Sequence, residues 1–319
     1  MSSKVATRDA YGRALVRLGA IHPEMVVLDA DLSKSTKTAD FAKAYPERFI
    51  RLGVAEQNLM GTAAGMALAG KIPFASSFAI FATGRAFEQI RNSIAYPRLK
   101  VRIAATHAGI SVGEDGASHQ SIEDVALMRV LPHMTVIVPA DARETEKVIE
   151  ASLDWEGPIY IRMGRLAVPT VYTDDYEYII GQAVQLRDGS EATIIANGLM
   201  VPEALQAAEI LQQEQLSVRV INMHTVKPLD REAIIRAARE TGAIVTAEEH
   251  SIIGGLGSAV AEVLVEEYPV PMHRVGLMDC FGESGDPGEL LEKYGLTASH
   301  IVEVVHEIIR RKRSKSHPI

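Results

Sequence analysis

The chain has 319 residues, 47% hydrophobic and 23% charged, the balance of a folded protein rather than a disordered or fibrous one. Forty-one acidic against 33 basic side chains leave a formal charge of −8, a field that repels polyanions and gives no nucleic-acid footprint. One cysteine, Cys280, builds neither a disulfide framework nor a thiolate metal site, which fits a reducing compartment. The opening MSSKVATRDAYGRAL carries charge where a signal peptide needs an apolar core, and no stretch reaches the ~20 apolar residues that span a bilayer. The expectation is a cytoplasmic protein with neither membrane nor nucleic acid as partner.

Short Val/Ile-rich runs alternate with segments of helical period, which predicts α/β architecture: two doubly wound domains with mainly parallel sheets. In the first, strands are expected at 25–29, 50–53, 73–78, 100–106, 134–138 and 158–162. Helices are expected at 9–19, 38–45, 56–69, 84–95, 121–130 and 141–153. The last opens on Asp141-Ala-Arg-Glu144, a capping box in kind, ahead of the apolar stripe Val148, Ile149 and Leu153. From about 164 to 181 neither period is sustained, which reads as a linker between a domain at 1–165 and another at 182–319. The second series has strands near 192–196, 217–222, 243–247 and 273–277, and helices near 201–213, 230–241, 257–267 and 298–312. The basic run Arg310, Arg311, Lys312, Arg313, Lys315 reads as a solvated helix end.

Three stretches carry candidate chemistry. The loop from His107 to His119 follows a strand and places two imidazoles, Asp115 and three glycines at a strand's carboxyl end, where doubly wound sheets bind ligands. Its His spacing does not suit a metal pair. Glu56 opens a helix whose residues 59–69 are nearly all apolar or small. An acid there is commonly just a favourable contact with the helix dipole, but a carboxylate in such apolar company would have the strong hydrogen bonding that proton transfer needs. Phe78, Phe81 and Phe87 gather aromatics that are scarce elsewhere, suited to core packing or to stacking a flat heteroaromatic ligand. Arg8, Ser35, Thr36, Arg162 and Arg165 sit near element ends, where they could bind a phosphate. In the second half, Ala247-Glu-Glu-His-Ser-Ile-Ile-Gly-Gly-Leu-Gly257 joins a strand to a helix. With Val260 at the third glycine position it is a weak nucleotide signature, and tight helix-on-strand packing explains it better.

Taken together, Gly53-Val-Ala-Glu56-Gln-Asn58, Ser77-Phe78-Ala-Ile-Phe81, Thr106-His107 through His119-Gln120, Ala6-Thr7-Arg8 and Ala30-Asp31-Leu32-Ser-Lys-Ser35 resemble the carboxyl-terminal half of transketolase, as found where that enzyme is split into two chains. The resemblance covers nearly the whole sequence, a pyrimidine-binding domain followed by the family's carboxyl-terminal domain. It implies thiamine diphosphate as cofactor, with Glu56 hydrogen-bonding the aminopyrimidine so that the thiazolium carbon can be deprotonated. It also implies Phe78 and Phe81 packing on that ring, Asp31 beside the cofactor, and Asp115 and His119 reading the sugar's oxygens. Arg8, Ser35, His107 and Arg162 would then clamp the phosphate of a sugar phosphate, with Glu56, His107, Asp115 and His119 as the catalytic set.

Two departures from the family pattern matter. A tyrosine usual three residues after the second aromatic is replaced here by Gly84, followed by Arg85. A Gly-Asp-Gly followed by Asn, the motif for the diphosphate and its Mg or Ca ion, is absent. The expected partner is therefore an amino-terminal transketolase subunit carrying that motif, in a heterotetramer built around a self-dimer of this chain. The segment Glu248 to Gly257 is closer to deoxyxylulose-phosphate synthases and 2-oxoacid dehydrogenase beta subunits, which are the alternative enzymes. A non-catalytic binding subunit is the alternative of another class.

Overall fold

The computed structural model describes residues 4–173 and 175–315, so Asp174 of the expected linker lies outside the described residues. Its strands along the chain are β1 (Lys4–Ala6), β2 (Met25–Asp29), β3 (Phe49–Arg51), β4 (Ile72–Phe78), β5 (Arg102–Thr106), β6 (Thr135–Ile137) and β7 (Ile159–Arg162). They continue with β8 (Ala167–Pro169), β9 (Val184–Arg187), β10 (Ala192–Ala196), β11 (Val218–Asn222), β12 (Thr225–Lys227), β13 (Ile244–Ser251) and β14 (Met272–Leu277). Among the described residues one sheet has the order β12-β6-β7-β5-β4-β2-β3, a second β14-β13-β10-β11-β9, and a small third joins β1 to β8. Pairing in the two large sheets is parallel except at the edge strands β12 and β9.

Helices cover both faces of each large sheet, as fully buried Val/Ile-rich strands require. On one face of the first sheet Leu59, Met60, Ile90, Ile94 and Val125 pack together. On the other lie Tyr11, Leu15 and Leu18 with Val148, Ile149 and Leu153. The second sheet is covered by Met200, Leu211, Ile301 and Val305 on one side and by Ile234, Leu256 and Val260 on the other. No helix among the described residues is long and apolar enough to cross a membrane.

The structure departs from the sequence reading in several places, the unexpected edge strand β9 and the unexpected helices Ser33–Thr36 and Pro287–Lys293 among them. The expected helix 84–95 is three pieces, a π-helical turn Phe81–Arg85, a short helix Phe87–Gln89 and a second π turn Ile90–Ala95. The wider turn admits about one more residue per revolution, and Arg85 comes back over the Phe81 ring. The expected helix 121–130 begins only at Asp124, because Ser121 bridges Ala108 and the Glu123 carboxylate takes the N–H of Ile122. The expected linker contains β8, paired antiparallel with β1. Finally, β12 leaves the second half of the chain and completes the edge of the first sheet beside β6.

Register places the candidate residues. Ser77 lies opposite Ala105 and Phe78 opposite Thr106, so Phe78 and His107 leave adjacent strands at the same edge. The helix Thr7–Gly19 begins directly after β1, with Arg8 in its first turn, and Thr7 Oγ1 accepts the Gly164 N–H at 3.2 Å. The start of the chain is thereby pinned to the end of β7.

Candidate active site

Glu56 is the first residue of helix Glu56–Leu68 and is only 1% exposed. Leu59, Met60, Ala63 and Ala64 bury that helix against the sheet and draw its amino terminus inward. Arg85 Nη1 donates to Glu56 Oε2 at 2.8 Å, while Oε1 is buried without a partner. The Arg85 guanidinium also stands 4.6 Å from the centroid of Phe81. Gly84, where the tyrosine was missing, is followed by a cation that covers both the aromatic and the acid.

Phe78 and Phe81 stack at 6.1 Å with a 16° interplanar angle. His107 lies flat on Phe78 at 3.9 Å, and His119 meets Phe81 edge-on at 5.2 Å. The structure thus brings Phe78, Phe81, His107 and His119 into one wall, with Glu56 and Arg85 at one end. Phe87 packs instead against the core beneath the sheet.

His107 adopts a left-handed backbone, φ +57°, which a non-glycine residue holds only where its surroundings fix it. Burial pushes its pKa down to about 3, and Arg8, Arg165 and His119 push the same way. It is therefore neutral. Arg8 Nη1 lies 3.1 Å from Nε2, and a guanidinium can only donate, so Nε2 accepts. Nδ1 then carries the proton and donates to Thr106 Oγ1 at 2.9 Å.

Arg8 Nη1 also donates to the backbone oxygen of Ser35 at 3.2 Å, and its Nε is buried without a partner. Burial lowers the Arg8 pKa, Asp9 opposes this, and Arg165 adds to it. Arg165 donates to Val112 O and, at 2.7 Å, to Glu114 Oε2. Asp115 is exposed on the same 3-10 turn Ile110–Asp115, and His119 accepts from or donates to Ser118 Oγ at 3.0 Å. Asp31 is exposed after β2 with φ +66°. Behind it the buried Asp29 carboxylate gathers Leu32 N, Thr36 Oγ1 and Thr38 Oγ1 and shapes the Ser35 turn.

Arg162 does not join this group. Its side chain is 6% exposed and committed elsewhere: Nε donates to Asp124 Oδ2 at 2.8 Å, and Nη2 to Ser121 O and Glu249 O at 3.3 and 2.8 Å. Burial is outweighed by Asp124 and Glu249, which together hold its pKa up. The reason is strand alternation: Arg162 stands on the same face of β7 as Tyr160, whose hydroxyl also donates to Asp124, whereas Arg165 lies beyond the strand end, close enough to Arg8 and His107 to act on their charge. Sequence reasoning named Arg165 but left it out of the clamp. It missed Arg85 as a partner of Glu56, and the only signal was a lone charge beside the aromatic cluster.

Residues 3–170 match the family of transketolase pyrimidine-binding domains, and residues 181–301 that of transketolase C-terminal domains. A solved structure described as a split gene transketolase, an inactive beta4 tetramer, superposes with TM-score 0.91 at 59% identity, covering 97% of this chain and 99% of that one. A 6-deoxy-6-sulfo-D-fructose transketolase subunit of Clostridium sp. is 45% identical over 305 residues, 96% of this chain and 95% of its own. Human transketolase is 38% identical over 315 residues, which is 98% of this chain and 50% of its own length. The chain therefore spans about half of such a single-chain relative.

Proposed function

The chain belongs to the transketolase family, and from that premise we propose that it takes thiamine diphosphate and, assembled with an amino-terminal subunit, transfers a two-carbon ketol unit between sugar phosphates. The observation that carries this reading is Glu56, a carboxylate 1% exposed with one oxygen enclosed and unpartnered. Leaving such an acceptor unmet costs about 1–3 kcal/mol. That is a place kept for a donor, and the stacked Phe78 and Phe81 beside it suit a flat ring. When bound, the cofactor supplies a carbon nucleophile that amino-acid side chains lack.

The chain's own residues would divide the work. Glu56 hydrogen-bonds the aminopyrimidine and holds or moves its proton, while Phe78 and Phe81 exclude water from that ring. Asp31 sits at the entrance after β2. Neutral His107 holds Arg8 through Nε2 without adding a competing cation, while Asp115 and His119 hydrogen-bond the sugar's oxygens. Arg8 and Arg165 meet the phosphate beside the Ser35 turn, and the free Nε of Arg8 supplies a donor there.

The diphosphate and its Mg or Ca ion would be held by a partner carrying Gly-Asp-Gly followed by Asn, a pattern that this sequence lacks. A self-dimer of this chain inside a heterotetramer is the assembly proposed; the beta4 tetramer named for the split relative supports the self-association. The setting proposed is the cytoplasmic pentose phosphate pathway. Two basic side chains at the rim favour a phosphorylated substrate over a small 2-oxoacid.

The test is reconstitution. The purified chain alone is expected to show no ketol transfer, and addition of the motif-bearing partner to restore it. Turnover by the pure chain, or a preference of the complex for pyruvate over ketose phosphates, would overturn the reading. Glu56→Gln in the complex should lower turnover on the order of 10²-fold or more. Its fold should persist, since a helix-start carboxylate contributes only about 0.3–1 kcal/mol through the dipole.

A further inference from the structure

The segment Glu248-Glu249-His250 has no part in the reaction as described, yet its three side chains go to three places. Glu248 turns into its own half, where its two carboxylate oxygens accept from Leu256 N and Gly257 N at 2.7 Å and cap helix Leu256–Glu267. A Cβ on Gly255 would lie 2.1 Å from Glu248 Oε2, which is why glycine stands there. His250 Nε2 accepts the Ala126 N–H at 3.4 Å. Glu249, on the opposite face of β13, reaches into the loop that carries His107, Asp115 and His119.

There Glu249 Oε1 accepts the buried N–H of Ser111 at 2.7 Å. The contact is close enough that a Cβ on Gly109 would lie 2.1 Å from the Glu249 carboxyl carbon. Arg162 braces it from behind, with Nη2 on the Glu249 carbonyl at 2.8 Å and Nε on Asp124 at 2.8 Å. At the far end of the loop, Gln120 Nε2 donates to Glu283 O at 2.8 Å, and Gly282 lies so close that a Cβ would stand 1.9 Å from Gln120 Oε1. Between the two grips, Gly113 and Gly116 seat Pro287 and Ser284.

Gly109, Gly113 and Gly116 reach φ of +82°, +83° and +73° without steric cost, so they leave the loop free to take other paths, while His107 at φ +57° keeps its conformation only where its surroundings determine it. We propose that Glu249 is a positioning residue for sugar binding: through Ser111 it sets the loop on which Asp115 and His119 meet the substrate and from which His107 holds Arg8. The carboxyl-terminal half is then part of the substrate site although none of its side chains touches the sugar. The inference rests on the reading of Asp115 and His119 as substrate contacts.

In the assembled two-chain complex, Glu249→Ala is expected to raise KM for a ketose phosphate roughly ten- to a hundred-fold, the scale that misplacing a positioned group by about 1 Å produces. Affinity for thiamine diphosphate should not change. Glu249→Gln, whose amide oxygen can still accept from Ser111, should restore KM. Hydrogen exchange on the full chain supplies a readout apart from turnover: amides of 107–120 should exchange faster in Glu249→Ala while those of helix Glu56–Leu68 do not. It serves equally if the alanine variant fails to assemble. Unchanged KM with unchanged loop exchange overturns the proposal, as does a cofactor affinity that weakens as much as KM rises. His119→Ala separates the two readings. If it shifts KM while Glu249→Ala is silent, the positioning role alone falls; if it leaves KM unchanged, the substrate contacts fall and the positioning role with them.

Discussion

Arg162 and Arg165 are chemically identical and three residues apart, and the fold gives them opposite work. Arg165 faces Arg8 and neutral His107 at the rim, whereas Arg162 neutralises the fully enclosed Asp124. Replacing one partner of a buried pair leaves the other charge uncompensated, at about 3–5 kcal/mol. Arg162→Ala should therefore lower the melting temperature sharply and lose activity on every substrate equally. Arg165→Ala should keep its fold and raise KM for phosphorylated sugars about ten- to a hundred-fold, the worth of one charge-assisted hydrogen bond. Reaction with unphosphorylated hydroxypyruvate should be spared. Melting curves with KM values for both substrates decide between the assignments, and an Arg165 variant that is simply unstable would contradict this one.

At the scale of elements, the capping box at Asp141 does more than start a helix. Asp141 Oδ1 accepts the Glu144 N–H at 2.8 Å, as its spacing predicts. The return bond from Glu144 goes one residue further back, to Ala140 N at 2.6 Å. The other Asp141 oxygen takes the N–H groups of Val171 and Tyr172 at 2.6 and 3.0 Å. Glu144 takes Tyr176 Oη and Asn222 Nδ2 at 2.8 and 2.9 Å. One helix start thus fastens the linker and the second sheet together. Loss of a cap costs about 0.5–2 kcal/mol, and losing charged hydrogen bonds to the linker adds about 1.5–3 kcal/mol. Asp141→Ala should accordingly reduce urea stability by more than a cap alone explains; a loss confined to about 1 kcal/mol would show that the linker holds itself.

Across the whole molecule, buried carboxyls make stability depend on pH. Burial raises the pKa of both Glu144 and Glu249 to about 7. A carboxyl whose folded pKa lies above its unfolded value contributes stability that is complete below the ordinary carboxylate range and is lost as pH rises through 7. Asp124 runs the other way: burial opposes its charge, but Arg162 and His250 outweigh it and hold the pKa down, so its contribution is lost as pH falls. Urea unfolding should show stability declining from pH 5 to pH 8. In Glu249→Gln that decline should be smaller by at least about 1 kcal/mol. An equal decline in both proteins would mean that Glu249 does not titrate there.

How much was legible in the sequence follows from the range of the interactions. Strand and helix periodicity is local, so β2, β4, β7 and β10 and the helices Thr7–Gly19, Glu56–Leu68, Ala142–Asp154 and Met200–Gln213 stand within a residue or two of where the pattern predicts. Glu56, the aromatic pair and the His107 to His119 loop were equally readable, because their residue types and spacing lie within single segments. The edge strands β8, β9 and β12 were not, since three or four residues carry no period and exist only because a distant partner offers unpaired backbone groups. The Arg85 to Glu56 bond needed a π turn that composition does not announce. Glu249 read as part of a packing turn because its use lies 138 residues away, at the Ser111 N–H. The sequence by itself determined the α/β class and the family and singled out the candidate reacting groups, for these depend on short-range pattern and chemistry. Only the tertiary structure decided which arginine is buried and which is not, and what holds the loop from His107 to His119, because the face of a sheet on which a side chain stands and its distant partner are set by register and packing rather than by neighbours in the chain.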